Sequence, residues 1–234
     1  MKTFGIIGAM PEEIALLKAE MEILETRNAA GCEFFIGRLA GRGAVLARAG
    51  VGKVNAAICA QAMLDLMGVD AVISVGVAGG IGAGIGIGDV VIAADLLYHD
   101  MDAVAFGYAP GVIPQMDCSI FPADEHLTAL AADSAAKILA DTDNRAHIGR
   151  MATGDIFVAD NTAKTRIAAQ FAAHCVEMES AAIAHACHLA KTPFAAIRAI
   201  SDTADNPAQT DFAKFMPIAA NRSAKIVLDM LQAQ

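Results

Sequence analysis

The chain contains no tryptophan, two tyrosines and 5% aromatic residues in all. Its interior must therefore be built from aliphatic side chains, and abundant alanine points to helices packed closely on a sheet. Basic residues are also scarce. Seventeen Lys and Arg face 26 Asp and Glu, giving a net charge of −9, and no basic run occurs. This argues against a nucleic-acid partner, whose affinity would come mostly from cation–phosphate attraction, and against polybasic contact with an anionic membrane. The five cysteines, at 32, 59, 118, 175 and 187, are scattered and form no C-x-x-C pair. Neither a zinc ribbon nor a redox motif is supported. With no export signal, reduced thiols in the cytoplasm are expected.

Two stretches imitate targeting segments. The opening MKTFGIIGAMPEE has too short an apolar run, and Glu12 and Glu13 stand where a cleavage region should lie. Residues 71–88, AVISVGVAGGIGAGIGIG, carry no charge over eighteen positions, but seven of them are glycine. So many glycines disfavour a membrane helix, and a buried strand running into a glycine loop is the better reading.

At 234 residues, with 56% apolar and 18% charged residues, the chain can bury a large core. It shows no repeat, linker or low-complexity tract, so a single domain over 1–234 is expected. FGIIGA (4–9), AVISVGVA (71–78), DVVIAAD (89–95), 146–152 and PFAAIRAIS (193–201) read as strands. CEFFIGRLAG and AVLARAGVG read as a hairpin-like pair. Helices are expected from about Pro11, over 53–67, 124–140 and 178–190, and from about 211 to 232. Strands alternating with helices indicate an α/β sandwich with helices on both sheet faces. Ligands in such folds sit beyond the carboxyl ends of strands.

Three strand ends carry conspicuous polar groups. Met10, Glu12 and Glu13 follow the first strand; Glu177, Met178 and Glu179 follow a short strand near 175–177; Arg198, Ser201 and Asp202 lie in and after FAAIRAIS. Each set has a plainer reading. Glu12, Glu13, Glu177 and Glu179 could decorate helix N-termini, and Ser201-Asp202-Thr203 is good turn chemistry. Arg198 is harder to dismiss, since a buried guanidinium needs a carboxylate that no adjacent residue supplies. His185 and His188, with Glu179, lack defined zinc-ligand spacing, so no metal is expected. Tyr98-His99-Asp100 offers no facing His–Asp pair, because neighbouring side chains diverge in extended chain. The glycines match neither G-x-G-x-x-G nor G-x-x-x-x-G-K-[ST], which removes dinucleotide and P-loop readings.

Six segments in this order, GIIGAMPEE (5–13), GVGKVNAA (50–57), YHDMDAVAFGY (98–108), ATGDIFV (152–158), VEMESAAIAH (176–185) and RAISDTAD (198–205), resemble the 5′-methylthioadenosine/S-adenosylhomocysteine nucleosidases. Those enzymes belong to the nucleoside phosphorylase superfamily. The resemblance runs nearly end to end. It implies a three-layer α/β/α sandwich around a central mixed, twisted sheet, and hydrolysis of the N-glycosidic bond of methylthioadenosine and S-adenosylhomocysteine, with 5′-deoxyadenosine as a further substrate. No cofactor is implied. By the same resemblance Asp202 is the general acid at adenine N7, Glu13 activates water, and Glu179 holds the ribose hydroxyls. Met178 lies against the ribose, and Arg198 orders the water and the acids. Adenine stacks on Phe157 and reads the Val158 backbone, while Met10 and Phe212 close over the nucleoside. Val51, Ser201 and Ala103 complete the substrate contacts. Phe106 and Pro114 line the neighbour's 5′-alkylthio pocket, implying a homodimer. Glu177 receives no substrate role and is expected to be structural. Val77 departs from the family, where many relatives carry serine. A phosphate-dependent phosphorylase and a non-catalytic nucleoside sensor are the alternatives on this fold.

Overall fold

The computed structural model describes residues 2–205 and 208–233. The elements in order are β1 (Thr3–Gly8), α1 (Pro11–Glu20), β2 (Glu22–Ala29), β3 (Cys32–Leu39), β4 (Arg42–Arg48), α2 (Lys53–Met67), β5 (Ala71–Gly80), β6 (Val90–Tyr98), a 3₁₀ turn (Val104–Phe106), β7 (Ile120–Pro122), α3 (Glu125–Leu139), β8 (Ala146–Thr153), α4 (Asn161–Phe171), β9 (Cys175–Glu177), α5 (Ser180–Ala190), β10 (Phe194–Asp202) and α6 (Ala208–Gln232). The uncharged stretch 71–88 is a strand over Ala71–Gly80 that then runs into a glycine-rich loop, two residues later than expected, and every residue of β5 is buried.

One mixed sheet runs in the order β10-β6-β8-β9-β5-β1-β4-β3-β2, with β7 on β6. An additional β10–β5 pairing closes β5, β10, β6, β8 and β9 into a ring. The closure has a functional consequence. Parallel pairing of β5 with β10 sets Arg198 opposite Gly76 and Asp202 opposite Gly79, with a register irregularity between Ile200 and Asp202.

Alternation along β1 sends Phe4 and Ile6 to one face and Ile7 to the other. The first face packs on α1 (Ile14, Leu17), α3 (Leu127, Ala131) and α6 (Ile226, Val227, Met230). The second packs on α2 (Ala56, Cys59, Ala60) and α5 (Ala181, Ile183, Ala184). Each fully buried Ile, Leu or Phe contributes about 1.5–3 kcal/mol relative to exposure. Small residues on both α2 and α5 let these two helices pack against each other over the sheet. The three layers inferred from the alternation of strands and helices are present.

Three described elements lack a clear sequence signal. β2 is exposed along nearly its whole length, so it carries no in–out alternation. α4 buries only Ile167 and Phe171 and is started by Asp160, whose Oδ1 accepts from Ala163 N at 2.8 Å. β7 is three residues long. The closing helix begins at Ala208 rather than 211.

Candidate active site

A cleft of about 190 Å³ opens where β1, β5, β9 and β10 end. Met10, Glu13, Val51, Val77, Gly79, Phe157, Val158, Glu177, Met178, Glu179, Ser201, Asp202 and Phe212 all line it. Residues as far apart in sequence as Met10 and Phe212 thus share one cavity with a mainly apolar wall.

Glu13 sits in the first turn of α1 and is buried. Its Oε2 accepts from the amides of Ala9 (2.7 Å) and Met10 (2.9 Å), and its Oε1 from the amide of Val77 (3.0 Å). Burial pushes its pKa up, and the opposing pull of Arg198 and the three amides does not cancel that effect. A carboxylate of raised basicity, with lone pairs still free, suits a base acting on water. Residue 77 contributes through its main chain, so valine in place of serine leaves this hold on Glu13 intact.

Asp202 ends β10. Its Oδ1 accepts from Ala204 N (2.9 Å), and its Oδ2 accepts from the Ser201 hydroxyl (2.9 Å). Burial raises its pKa against those two hydrogen bonds, and the charges of Asp205 and Asp211 add to the rise. That is the direction a proton donor requires.

Glu179 occupies the N-cap position of α5, and its Oε1 accepts from Gly52 N at 2.8 Å. Burial, followed by the nearby Glu177, pushes its pKa up to about 8, despite Arg198 and the Gly52 amide. Gly52 has φ 97°, a conformation that favours glycine. The loop before α2 therefore supplies an amide to this carboxylate.

Two glycines of β5 make room for the acids. A β-carbon on Gly76 would collide with the Glu13 carboxylate, and one on Gly79 would stand 2.9 Å from Asp202 Oδ1. Both glycines stand in the GVAGG run, but their meaning depends on the β5–β10 pairing.

Phe157 and Phe212 meet edge to face at the cleft, with ring centroids 5.7 Å apart. The loop bearing Phe157 and Val158 is tied to the start of α2. Asp155 Oδ1 accepts from Lys53 N (2.8 Å), while Asp100 Oδ2 accepts from Lys53 Nζ (2.6 Å) and Asp155 N (2.9 Å). His99 is buried with neither ring nitrogen hydrogen-bonded, so it forms no pair with Asp100. His185 stacks on Phe121 at 4.9 Å and lies 3.3 Å from Tyr98 Oη. Among the described residues no cluster of three or more His, Cys, Asp or Glu is arranged to hold a metal. No helix among them is long and apolar enough to cross a membrane.

Arg198 does not line the cleft. It is buried behind it, where Nη2 donates to Glu177 Oε2 (3.0 Å) and Ser74 Oγ (3.1 Å). Its influence on Glu13 is electrostatic. Glu177 is thus the carboxylate partner that the residues adjacent to Arg198 could not supply. Ala103, Phe106 and Pro114 also lie outside this cleft, and Phe106 is 85% exposed.

Residues 3–232 match the family model described as Phosphorylase superfamily. A 5′-methylthioadenosine/S-adenosylhomocysteine nucleosidase of Geobacillus thermodenitrificans is 44% identical, covering 97% of this chain and 95% of the relative. The chain belongs to the 5′-methylthioadenosine/S-adenosylhomocysteine nucleosidase family. The nucleosidase of Neisseria meningitidis, solved in complex with methylthio-immucillin-A, superposes with a TM-score of 0.93 at 40% identity, with full coverage of both chains. The futalosine hydrolase of Helicobacter pylori is also similar, with a TM-score of 0.92 and 31% identity over 100% of this chain and 98% of that one.

Proposed function

We propose that this chain hydrolyses the N-glycosidic bond of 5′-methylthioadenosine and S-adenosylhomocysteine, releasing adenine and a 5′-thio-substituted ribose, with 5′-deoxyadenosine as a further substrate. The observation that carries this reading is the placement of Glu13 and Asp202, both buried with raised pKa, on one cleft. Asp202 gives its proton to adenine N7, so that the base leaves neutral. Glu13 removes a proton from the water that attacks the anomeric carbon. Glu179 accepts hydrogen bonds from the ribose hydroxyls, and the Met178 thioether contacts the sugar without competing as a base. Adenine stacks on Phe157 and reads the Val158 backbone with its Watson–Crick edge, Met10 and Phe212 close over the nucleoside, and Val51 and Ser201 complete the wall.

Water rather than phosphate is the nucleophile in this reading. A phosphate dianion binds helix N-termini through free amides. Here the amides of Ala9 and Met10 at the start of α1, and that of Val77, already donate to Glu13. A carboxylate in that place repels phosphate.

We also place the protein in the cytoplasm as a homodimer. Phe106, Val104, and the outer face of α2 at Val54 and Ile58 are exposed. Covering them with a second copy would bring Phe106 and Pro114, with Ala103, to the partner's 5′-alkylthio pocket. The experiment is incubation with methylthioadenosine, with and without phosphate, followed by chromatography. Free adenine at a rate indifferent to phosphate supports hydrolysis. Phosphate-dependent release supports phosphorolysis, and intact nucleoside after prolonged incubation supports a sensor.

A further inference from the structure

The hydrolytic reading leaves Glu177 without a task, yet it is the most heavily bonded carboxylate at the cleft. Its side chain is 2% exposed and pairs with Arg198. Oε2 also accepts from the amides of Glu179 (3.0 Å) and Ser180 (2.7 Å), and Oε1 accepts from the Thr153 hydroxyl. Thr153 Oγ1 in turn accepts from Ala181 N at 2.9 Å. We propose that Glu177 is a positioning residue for the hydrolysis, setting the place and charge of Glu179 directly and of Glu13 through Arg198.

The geometric role lies in helix capping. The first amides of a helix need acceptors, and Glu179, at the N-cap, makes no side-chain cap bond of its own. Glu177 and Thr153 take those amides instead. Glu179 is thereby free to turn its carboxylate toward Gly52 and the cleft. If Glu179 had to cap α5, it could not reach a ribose.

The electrostatic role runs through Arg198. Its guanidinium lies between Glu177 and the Gly76 slot that holds Glu13, with Nη1 3.2 Å from the place a Gly76 β-carbon would take. Glycosidic cleavage passes through an oxocarbenium-like cation. An unpaired guanidinium behind the cleft would repel that cation and weaken Glu13 as a base. Glu177 neutralises it. The other ionisable groups facing Glu177 are Tyr98 and His99 from the β6 end and Cys175 on its own strand.

The proposal rests on the hydrolytic reading, and its test separates the two. Glu179 is titrated by carbon NMR in protein carrying ¹³C-labelled glutamate, for wild type, Glu177→Gln and Glu177→Asp, alongside pH profiles of kcat/KM for methylthioadenosine. In Glu177→Gln the Glu179 midpoint and the acid limb of the profile both move to lower pH. Its kcat falls about tenfold or more, because the base is weaker and the guanidinium unpaired. Glu177→Asp keeps the charge and holds the midpoint near wild type. It still loses kcat, since a side chain one methylene shorter cannot serve both Arg198 and the α5 amides. A folded Glu177→Gln with unmoved midpoint and unmoved profile overturns the electrostatic role, and a Glu177→Asp with wild-type kcat overturns the geometric one. Wild-type protein that titrates as described yet releases no adenine contradicts the hydrolytic reading and leaves the Glu177–Glu179 coupling standing.

Discussion

The side chain that Gly76 lacks would occupy the place of the Glu13 carboxylate. Glu13 comes from α1 and Gly76 from the middle of β5, so the acid is seated in a slot cut into the sheet itself. Gly79, three residues on, does the same for Asp202. Neither glycine has a left-handed φ; their value is the space they leave.

Gly76→Ala therefore displaces Glu13 without straining the backbone. We expect kcat to fall about 100-fold, since misplacement of a reacting group by about 1 Å costs that much, with KM changed far less. Gly79→Ala, whose methyl would stand 2.9 Å from Asp202 Oδ1, also crowds its acid but less severely, and costs less. Steady-state kinetics on folded variants checks both. A folded Gly76→Ala with wild-type kcat contradicts the slot.

Nucleoside binding should release a proton. Glu179 without ligand has a pKa pushed up to about 8, chiefly by burial. Ribose hydroxyls donating to its carboxylate favour the anion and lower that value. Below about pH 8 the free protein holds the proton and the complex gives it up, so KM rises as pH falls. Calorimetry in two buffers of different ionisation enthalpy measures the release. Binding heats that track neither buffer nor pH contradict it.

The same carboxyl should cost stability at alkaline pH. Its folded pKa lies above the unfolded value, so its contribution is complete below the unfolded pKa and is lost as pH rises through about 8. Glu179→Gln removes this dependence. Near pH 9 the variant without ligand should melt several degrees above wild type, and at about pH 4, below the unfolded carboxyl's pKa, the two should coincide. Thermal melts at the two pH values decide it. The gain comes with loss of ribose binding, an exchange of function for stability.

Much of this site is legible in the order of residues alone. Glu13, Glu179 and Asp202 stand at apolar strand ends, and strand ends are where α/β folds place ligands. What stays hidden there depends on pairing across the sheet. The partner of Arg198 is Glu177, 21 positions away on another strand, and no local pattern announces it. Gly76 reads only as part of a buried strand, and Gly79 as the start of the glycine loop, until their opposite neighbours are known. β2 gives no signal because an exposed edge strand has no buried face to leave a period-two signature, and α4 gives little because two buried residues leave too thin a stripe.

Phe106 gives a test of the dimer. Exposure of a phenyl ring this complete costs about 1.5–3 kcal/mol relative to burial, which a second copy would recover. Phe106→Ala should raise KM for methylthioadenosine while changing kcat little, and size-exclusion chromatography should show wild type at twice the mass of one chain. A monomeric wild type with full activity contradicts the shared pocket.

The central claim is that Glu13 and Asp202 act on one bond, as base and acid. Single-turnover adenine release by Glu13→Gln and Asp202→Asn, with nucleoside affinity measured on the same samples, tests it most directly. Each variant should release adenine at least about 100-fold more slowly than wild type while binding the nucleoside with an affinity close to wild type. Release within a few-fold of wild type in either variant would contradict the account.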